Sequence, residues 1–391
     1  MYNSLELFSG AGGLAIGLEN SGFSHKLLVE RDPHACKNLT INKQQEKEPF
    51  INWNLYEGDS RSINYKEKLQ NIEFVSGGPP CQPFSLGGKH NGNADTRDMF
   101  PEAVRAVREL LPKAFIFENV KGLLRKSFST YFEYIVLQLT YPNIIRKKDE
   151  RWQDHLSKIE RHHTSKKKVE DVQYNVTFRL LNAADFGIPQ KRYRVFIIGF
   201  RNDLDIKWSF PDPTHFEEKL LIEKWVTKNY WDKYNIPRKN QEKIDKNLEN
   251  KIERLKTNYL FSEFPGKAWR TVRDVIYDLP DPEKNNNILN HEYRAGAKVY
   301  PGHTGSFIDQ PAKTLKAGAH GVPGGENMLR LNNDSVRYFT VRESARIQTF
   351  PDNYYFSGSW TENMRQIGNA VPVKLAEIIG KNIFSKLKKA S

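Results

Sequence analysis

Short apolar runs alternate with glycine-rich turns and amphipathic stretches through the first half of the chain, which predicts an α/β fold built on a parallel sheet. Leu5 to Phe8 reads as a strand and passes directly into Ser9-Gly10-Ala11-Gly12-Gly13. Leu14, Ile16 and Leu18 then open a helix that ends near Ser21-Gly22, with Gly22 as its cap. His25 to Glu30 is a second strand, closing a β-α-β unit. A third strand ends at Gly58-Asp59-Ser60, and Ile72 to Ser76 is a fourth, buried one. Met99 to Leu111 reads as helix, Lys113 to Phe117 as a strand ending on Glu118-Asn119-Val120, and Leu123 to Leu139 as helix. The pattern degrades from Tyr141 to Gln173, where Arg146-Lys147-Lys148 and Lys166-Lys167-Lys168 bracket a polar, histidine-bearing stretch that reads as a basic surface insertion. Tyr174 to Leu181 and Arg194 to Phe200 resume as strands. From Asn202 to Asp334 aromatics and lysines are scattered without clean period, and the charged stretch Lys239 to Lys256 reads as a solvated helix. Order returns at Phe339, and an amphipathic helix runs from Val373 to about Leu387.

The chain has 391 residues, more than one ordinary core accommodates, so two domains are expected. A net charge of +13 points to an acidic partner, nucleic acid foremost, although a basic chain can also simply be soluble. Only two cysteines occur, Cys36 and Cys81, which excludes a disulfide framework or a cysteine-rich zinc site and fits a reducing compartment. No long apolar run suggests a membrane span or a secretory leader, so the chain reads as cytoplasmic. His155, His162 and His163 do not make a convincing metal site, and none is expected.

The candidate chemistry sits where predicted strands end, which is where open α/β sheets gather ligands. Cys81 lies in Gly77-Gly78-Pro79-Pro80-Cys81-Gln82-Pro83-Phe84-Ser85, a rigid irregular turn, and a thiol held there suggests a nucleophile rather than a structural cysteine. The loop Gly10 to Ala15 fits a dinucleotide site as well as it fits other nucleoside cofactors, so a nicotinamide enzyme stays open at this point. Glu30, at the end of the second strand, suits ribose hydroxyls. Asp59 suits an adenine amino group or a simple turn. The glycine-rich segment from Gln82 to Asp98 reads as a loop able to close over the site.

Taken in order, five blocks resemble the cytosine-C5 DNA methyltransferases of bacterial restriction-modification systems: Leu7-Phe8-Ser9-Gly10-Ala11-Gly12-Gly13, Gly77 to Ser85, Glu118-Asn119-Val120, Gln190-Lys191-Arg192-Tyr193-Arg194, and Gln366 to Pro372. The resemblance implies a doubly wound, Rossmann-like S-adenosylmethionine-dependent methyltransferase domain formed by 1–204 and 341–391. A smaller target-recognition domain, 205–340, is inserted before the C-terminal segment, and the last helix packs beside the first glycine loop. Cys81 would attack cytosine C6, Glu118 would act at N3, and Arg192 and Arg194 would orient the base. S-adenosylmethionine would be held by Phe8, Gly10, Gly12, Gly13, Glu30, Asp59, Ser60, Pro80, Asn369 and Val371, with no metal. The resemblance also implies that Gln82, Ser85, Thr314 and Leu315 contact DNA, with Gly318 to Gly325 following the Thr-Leu pair.

The implied partners are duplex DNA and a cognate restriction endonuclease, and the implied state is a monomer. Glu6 departs from the aspartate common at the start of the first block, and the insertion widens the gap between Glu118 and Gln190. Three rivals remain: an RNA methyltransferase on the same scaffold, the nicotinamide enzyme, and a DNA-binding protein without activity. The region 202–334 favours DNA over RNA. The nicotinamide reading leaves Cys81, Glu118 and Arg192 without a role, and the presence of each expected catalytic residue argues against an inactive scaffold.

Overall fold

The structure, a computed structural model, describes residues 1–45, 50, 53–80, 98–165, 171–259, 265–284, 287–317 and 325–390. Its two compact units are Met1–Leu181, Tyr193–Pro211 and Ala376–Ser391 for the first, and Asn182–Arg192 and Asp212–Leu375 for the second. This partition differs from the expected domains, because 182–192 and 341–375 pack with the second unit. Arg342, for example, is buried there, and its guanidinium donates to the carbonyls of Leu289, Pro351 and Tyr354.

In the first unit the chain runs β1 (Tyr2–Leu7), α1 (Gly13–Glu19), β2 (Phe23–Glu30), α2 (Pro33–Gln44), β3 (Leu55–Glu57), α3 (Tyr65–Lys68), β4 (Phe74–Gly77), α4 (Phe100–Leu110), β5 (Ala114–Val120), α5 (Ser129–Thr140), α6 (Trp152–Thr164), β6 (Tyr174–Asn182) and β7 (Tyr193–Arg201). The seven strands form one sheet in the order β3-β2-β1-β4-β5-β7-β6. The pairs from β3 through β5 are parallel, whereas β7 lies antiparallel to β5. The order reverses between β1 and β4, so the carboxyl ends of these two strands flank the crevice in which such sheets bind ligands.

Both sheet faces are covered, which is why the strands read as continuous apolar runs. Phe115 and Phe117 enter one core with Val104, Val107 and Ile135, while Ile116 between them is equally buried on the opposite face. On that opposite side Phe23 stacks on Phe74 at 4.1 Å between ring centres, and Phe384 meets Phe23 edge-on.

Phe384 belongs to the last helix, Val373–Ala390. This helix packs on the far end of α1: Ser21 Oγ donates to Glu377 O, and a Cβ on Gly380 would stand 2.5 Å from Ser21 Oγ. The expected docking beside the first glycine loop is therefore corrected to the turn that follows α1. The insertion is also less superficial than expected. α6 buries His155, Leu156 and Ile159, and His155 is bonded through Nδ1 to Tyr134 Oη and through Nε2 to Ile144 O.

The second unit contains β8 (His215–Phe216), α7 (Glu217–Leu221), α8 (Asn229–Lys233), α9 (Lys246–Tyr259), β9 (Lys267–Ala268), α10 (Arg273–Ile276), β10 (Ser306–Phe307), β11 (Met328–Arg330), β12 (Val336–Tyr338), α11 (Val341–Ile347) and α12 (Trp360–Asn369). α9 is not wholly solvated: Leu255 packs with Leu221 and Ile222. Among the described residues no helix is long and apolar enough to cross a membrane.

Candidate active site

The carboxyl edge of the sheet collects the predicted residues of the first unit. Glu118 lies in β5 and Arg194 in β7, where Val120 pairs with Arg194 and Glu118 with Phe196. Residues two apart on one strand share a face, so Glu118 and Arg194 are diagonal neighbours across this ladder. Arg194 Nε sits 2.8 Å from Glu118 Oε1, and both side chains are about nine-tenths buried. Burial pushes the Arg194 guanidinium below its usual range, and the Glu118 charge opposes that shift.

The other carboxylate oxygen, Oε2, lies 3.5 Å from where a Cβ on Gly78 would stand, so the carboxyl group reaches the turn that leads to Cys81. Asn119, beside it, donates through Nδ2 to Pro79 O at 2.9 Å. Pro80 O accepts the Met99 amide at 3.1 Å. The two prolines are thus tied to β5 and to the start of α4. Asn119 was not singled out as a site residue from sequence, although its place in the Glu118-Asn119-Val120 block was visible. Cys81, Gln82 and Ser85 lie outside the described residues.

Cys36, by contrast, is buried at α2, with its thiol against Glu30 O at 3.4 Å. Burial, with Glu30 and Glu57 nearby, pushes that thiol up to about 12, so it holds its proton at neutral pH and is a poor nucleophile.

At the neighbouring strand ends, Phe8 takes φ +58°, a left-handed conformation rare for a residue with a large side chain, and turns the chain out of β1. Gly10 follows at φ +52°, with nothing within 4 Å of where a Cβ would stand. Gly12 has a different reason to be glycine. Its φ is +77°, and a Cβ there would press on Leu39 and Trp53, so this residue serves packing rather than ligand approach. Gly13 opens α1. Glu30 Oε2 accepts the Gly10 amide at 2.7 Å, and Oε1 accepts the amides of Arg31 and Asp32, also at 2.7 Å.

Asp59 is held to about pH 2 by the side-chain bond from Arg61, with Arg31 adding a longer-range pull. It therefore stays an acceptor at every working pH. The hydroxyls of Ser9 and Ser60 are buried without a hydrogen-bond partner, on either side of Glu30 in the sheet order. Two orphaned hydroxyls, a carboxylate and an open glycine fit a ligand carrying a ribose and an adenine.

Glu6, whose length departs from the expected aspartate, points into the sheet. It is fully buried beside Ser76, whose hydroxyl donates to Oε2 at 3.1 Å, and burial pushes its pKa up to about 8. His25, 3.9 Å away, is held down to about 4 by burial. Both groups are therefore neutral at pH 7.

The second unit places its predicted residues otherwise. Arg192 is 0% exposed and donates to Leu315 O at 3.0 Å, Gly368 O at 2.7 Å and Ala370 O at 2.9 Å. It holds the carboxyl end of α12, where a cation is favoured by the helix dipole. That is the place of a positioning residue, and the expectation that it orients the base is corrected. Gln190 is buried nearby, accepting the Leu315 amide and donating to Gln348, a residue that sequence reasoning missed.

Thr314 donates its hydroxyl to Lys191 O, and Leu315 is buried, so neither side chain is presented for reading a base. Asn369 is exposed and Val371 buried at the end of α12. Of Gly318 to Gly325, residues 318–324 lie outside the described residues.

A buried carboxylate–arginine pair beside the Pro79-Pro80 turn, on the same sheet edge as hydroxyls and a carboxylate that suit a nucleoside, is compatible with chemistry on a heterocycle. The family model for C-5 cytosine-specific DNA methylase matches residues 2–141 and 153–385. The chain belongs to this family. It is accordingly a DNA (cytosine-5-)-methyltransferase, with S-adenosylmethionine as the methyl donor that the family implies.

Relatives agree along the full length. The Type II methyltransferase M.Eco47II of Escherichia coli is 33% identical over 100% of this chain and 80% of its own. M.NgoMIV of Neisseria gonorrhoeae is 31% identical over 99% of both. Among solved structures, a putative DNA modification methyltransferase encoded in an E. coli prophage superposes with a TM-score of 0.59 at 21% identity, covering 99% of this chain and 100% of its own. The S. pombe Dnmt2 methyltransferase gives 0.57 at 16% identity, covering 100% and 99%. These two show the methyltransferase fold. The break in the family match, 142–152, falls at the start of the insertion.

Proposed function

We propose that this methyltransferase modifies a flipped-out cytosine in a short duplex site through a covalent bond to Cys81. The observation that carries the reading is the buried Glu118–Arg194 pair reaching Gly78, three residues before Cys81 in sequence, while the other cysteine, Cys36, is buried. Cytosine C5 is a weak nucleophile. Attack of the Cys81 thiolate on C6 forms the S–C6 bond, breaks the C5=C6 double bond and places the electron pair at C5. Glu118 holds a proton or a short hydrogen bond at N3, where charge develops. Arg194 fixes the Glu118 carboxyl and faces the base beside it. S-adenosylmethionine, when bound, would supply an electrophilic methyl group to C5, its S–CH3 bond breaking to leave S-adenosylhomocysteine, and water would take the C5 proton. Loss of the C5 proton and cleavage of the S–C6 bond return Cys81 to its starting state.

Glu30 would hold the ribose, Asp59 and Ser60 the adenine, and Phe8, Gly10 and Ser9 the remainder of the donor. Pro80, Asn369 and Val371 are assigned to the same pocket by resemblance, and Gln82 and Ser85 to DNA. C5 and C6 are stacked inside a duplex, so the base must leave the helix at a cost of a few kcal/mol. Residues 205–340 act as the target-recognition region, and 1–204 with 341–391 supply catalysis. The protein works as a cytoplasmic monomer that protects its target sites from a cognate endonuclease; its likeness to Type II methyltransferases supports the protective role.

The test is transfer of labelled methyl to mixed-sequence duplex DNA, followed by digestion to nucleosides. Label in 5-methylcytosine with the native chain, and none with Cys81→Ser, is the expected result. Label retained by Cys81→Ser, or found on another base or only on RNA, would overturn the reading.

A further inference from the structure

Leu315 is buried and the half-buried Thr314 spends its hydroxyl proton on Lys191 O, so a DNA contact elsewhere in the second unit is worth seeking. The segment 292–304 has the chemistry for it. It carries Arg294, Lys298 and His303 against one carboxylate of its own, Glu292, while Glu326 Oε2 lies 4.0 Å from His303 Nδ1. Tyr293, Val299 and Tyr300 are each more than two-fifths exposed, an unusual concentration of large apolar side chains at the surface.

The segment is irregular yet firmly held at both ends. Before it, Asn290 exchanges two hydrogen bonds with the backbone of Phe356, and His291 is buried between Thr340 Oγ1 and Pro280 O. After it, Ser306 enters β10 beside β11. Its tip, Tyr300-Pro301-Gly302-His303, is a tight turn closed by the His303 amide on Tyr300 O at 2.8 Å. Proline second and glycine third at φ +82° is the type II pattern. The turn lays the two flanking rings face to face, with centroids 4.3 Å apart and planes within 29°. At Gly296 and Gly302 a Cβ would meet nothing within 4 Å, so the backbone itself is open to approach.

We propose that 292–304 is a duplex-DNA contact surface, with Arg294 and Lys298 on phosphates and the Tyr300–His303 pair presenting a preformed flat face to the bases. The assignment deepens the DNA reading above and rests on it. Two exposed cations, Arg294 and Lys298, outweigh the single carboxylate of Glu292 and suit a polyanion. Stacked rings at a rigid tip suit bases, whose planar faces are stacked upon by aromatic side chains.

The test is anisotropy of a labelled mixed-sequence duplex with the full chain, at about 50 and about 200 mM salt. Arg294→Ala/Lys298→Ala is expected to weaken binding on the order of tenfold at the lower salt, and to flatten the slope of log affinity against log salt by about 1 to 2. Tyr300→Ala is expected to weaken binding about tenfold with the slope unchanged, while Tyr300→Phe, which keeps the ring, retains native affinity. Lys298 and Tyr300 are exposed, and Arg294 is exposed apart from its contact over the Trp360 ring at 4.9 Å, so the unfolding midpoint should move little, and a binding loss with a nearly unchanged midpoint supports the surface.

Native affinity and slope in both the double variant and Tyr300→Ala would overturn it, as would loss of a protein partner without loss of DNA. Methyl transfer measured on the same samples separates the two readings. DNA binding that depends on 292–304 in a chain that transfers no methyl sinks the catalytic reading alone. Native transfer with an unchanged KM for DNA in all variants sinks the surface alone.

Discussion

Replacing Arg192 by alanine separates a positioning role from a substrate role, because the two predict opposite losses. The guanidinium is wholly buried and donates to three carbonyls, Leu315 O, Gly368 O and Ala370 O. Hydrogen bonds from a charged donor contribute about 1.5–3 kcal/mol each, and stranding their buried acceptors costs a similar amount. Taking the low end for the three bonds gives about 4–5 kcal/mol, at the upper edge of what single substitutions do. For a unit of this size each kcal/mol moves Tm by roughly 2–4 °C, so Arg192→Ala should melt about 10 °C or more below the native chain. Calorimetry of the full chain gives the Tm, and steady-state methyl transfer well below that temperature gives kcat and KM. Arg194→Lys serves as the contrast. Its side chain faces Glu118 rather than a set of carbonyls, so it should keep most of the native Tm while kcat falls. An Arg192→Ala chain that melts with the native one, yet has lost kcat, would refute the reasoning and return Arg192 to the substrate.

Two further substitutions probe the protonation states set by burial. Cys36→Ser should leave methyl transfer within about twofold of native, and in the folded chain Cys36 should resist iodoacetamide at pH 7.5, since its thiol is pushed up to about 12; alkylation at Cys36, followed by mass spectrometry, would contradict this. Glu6→Gln should change the pH dependence of stability. The folded pKa of about 8 lies above the unfolded value, so the native chain loses stability as pH rises from about 4.5 to about 8, at no more than about 1.4 kcal/mol per pH unit, and then levels off. His25, held down to about 4, acts in the opposite sense and only on the acid side, where stability is lost as pH falls from about 6.5 toward 4. Urea midpoints at pH 5, 7 and 9 should therefore show Glu6→Gln gaining on the native chain between pH 5 and 8; parallel curves would mean that Glu6 is ionised in the fold.

The sheet and its carboxyl edge were legible because strands covered on both faces are apolar throughout and stop at glycine or proline. Phe74 to Gly77, followed by Gly78-Pro79-Pro80, is such a case. Polar residues that find partners only in the folded chain hid the rest. Asn3 and Ser4 look like a turn, yet they belong to β1, where Ser4 Oγ meets His25 Nδ1 across the sheet. α6 joins the core through only Leu156, Ile159 and a histidine, too few apolar positions to show a helical period in a charged stretch. Arg192 and Arg194 are the same residue type two positions apart. What sorts them is whether carbonyls more than a hundred residues away in sequence converge on the side chain, and no local pattern carries that. The same holds for Leu315, whose place in the Thr-Leu motif is visible while its burial is not.

The edge-on contact of Tyr2 with Phe384, 5.4 Å between ring centres, bears on how the protein comes into being. The two ends of the described chain share one aromatic cluster in the first unit, and the second unit lies between them in sequence. During translation the opening strands therefore wait, with Phe23 and the ring of Tyr2 lacking their cover, until residues 376–390 have left the ribosome. By then the whole of 212–375 has been made and is free to fold first. The strands made before 212–375 are thus sealed only by a segment made after it.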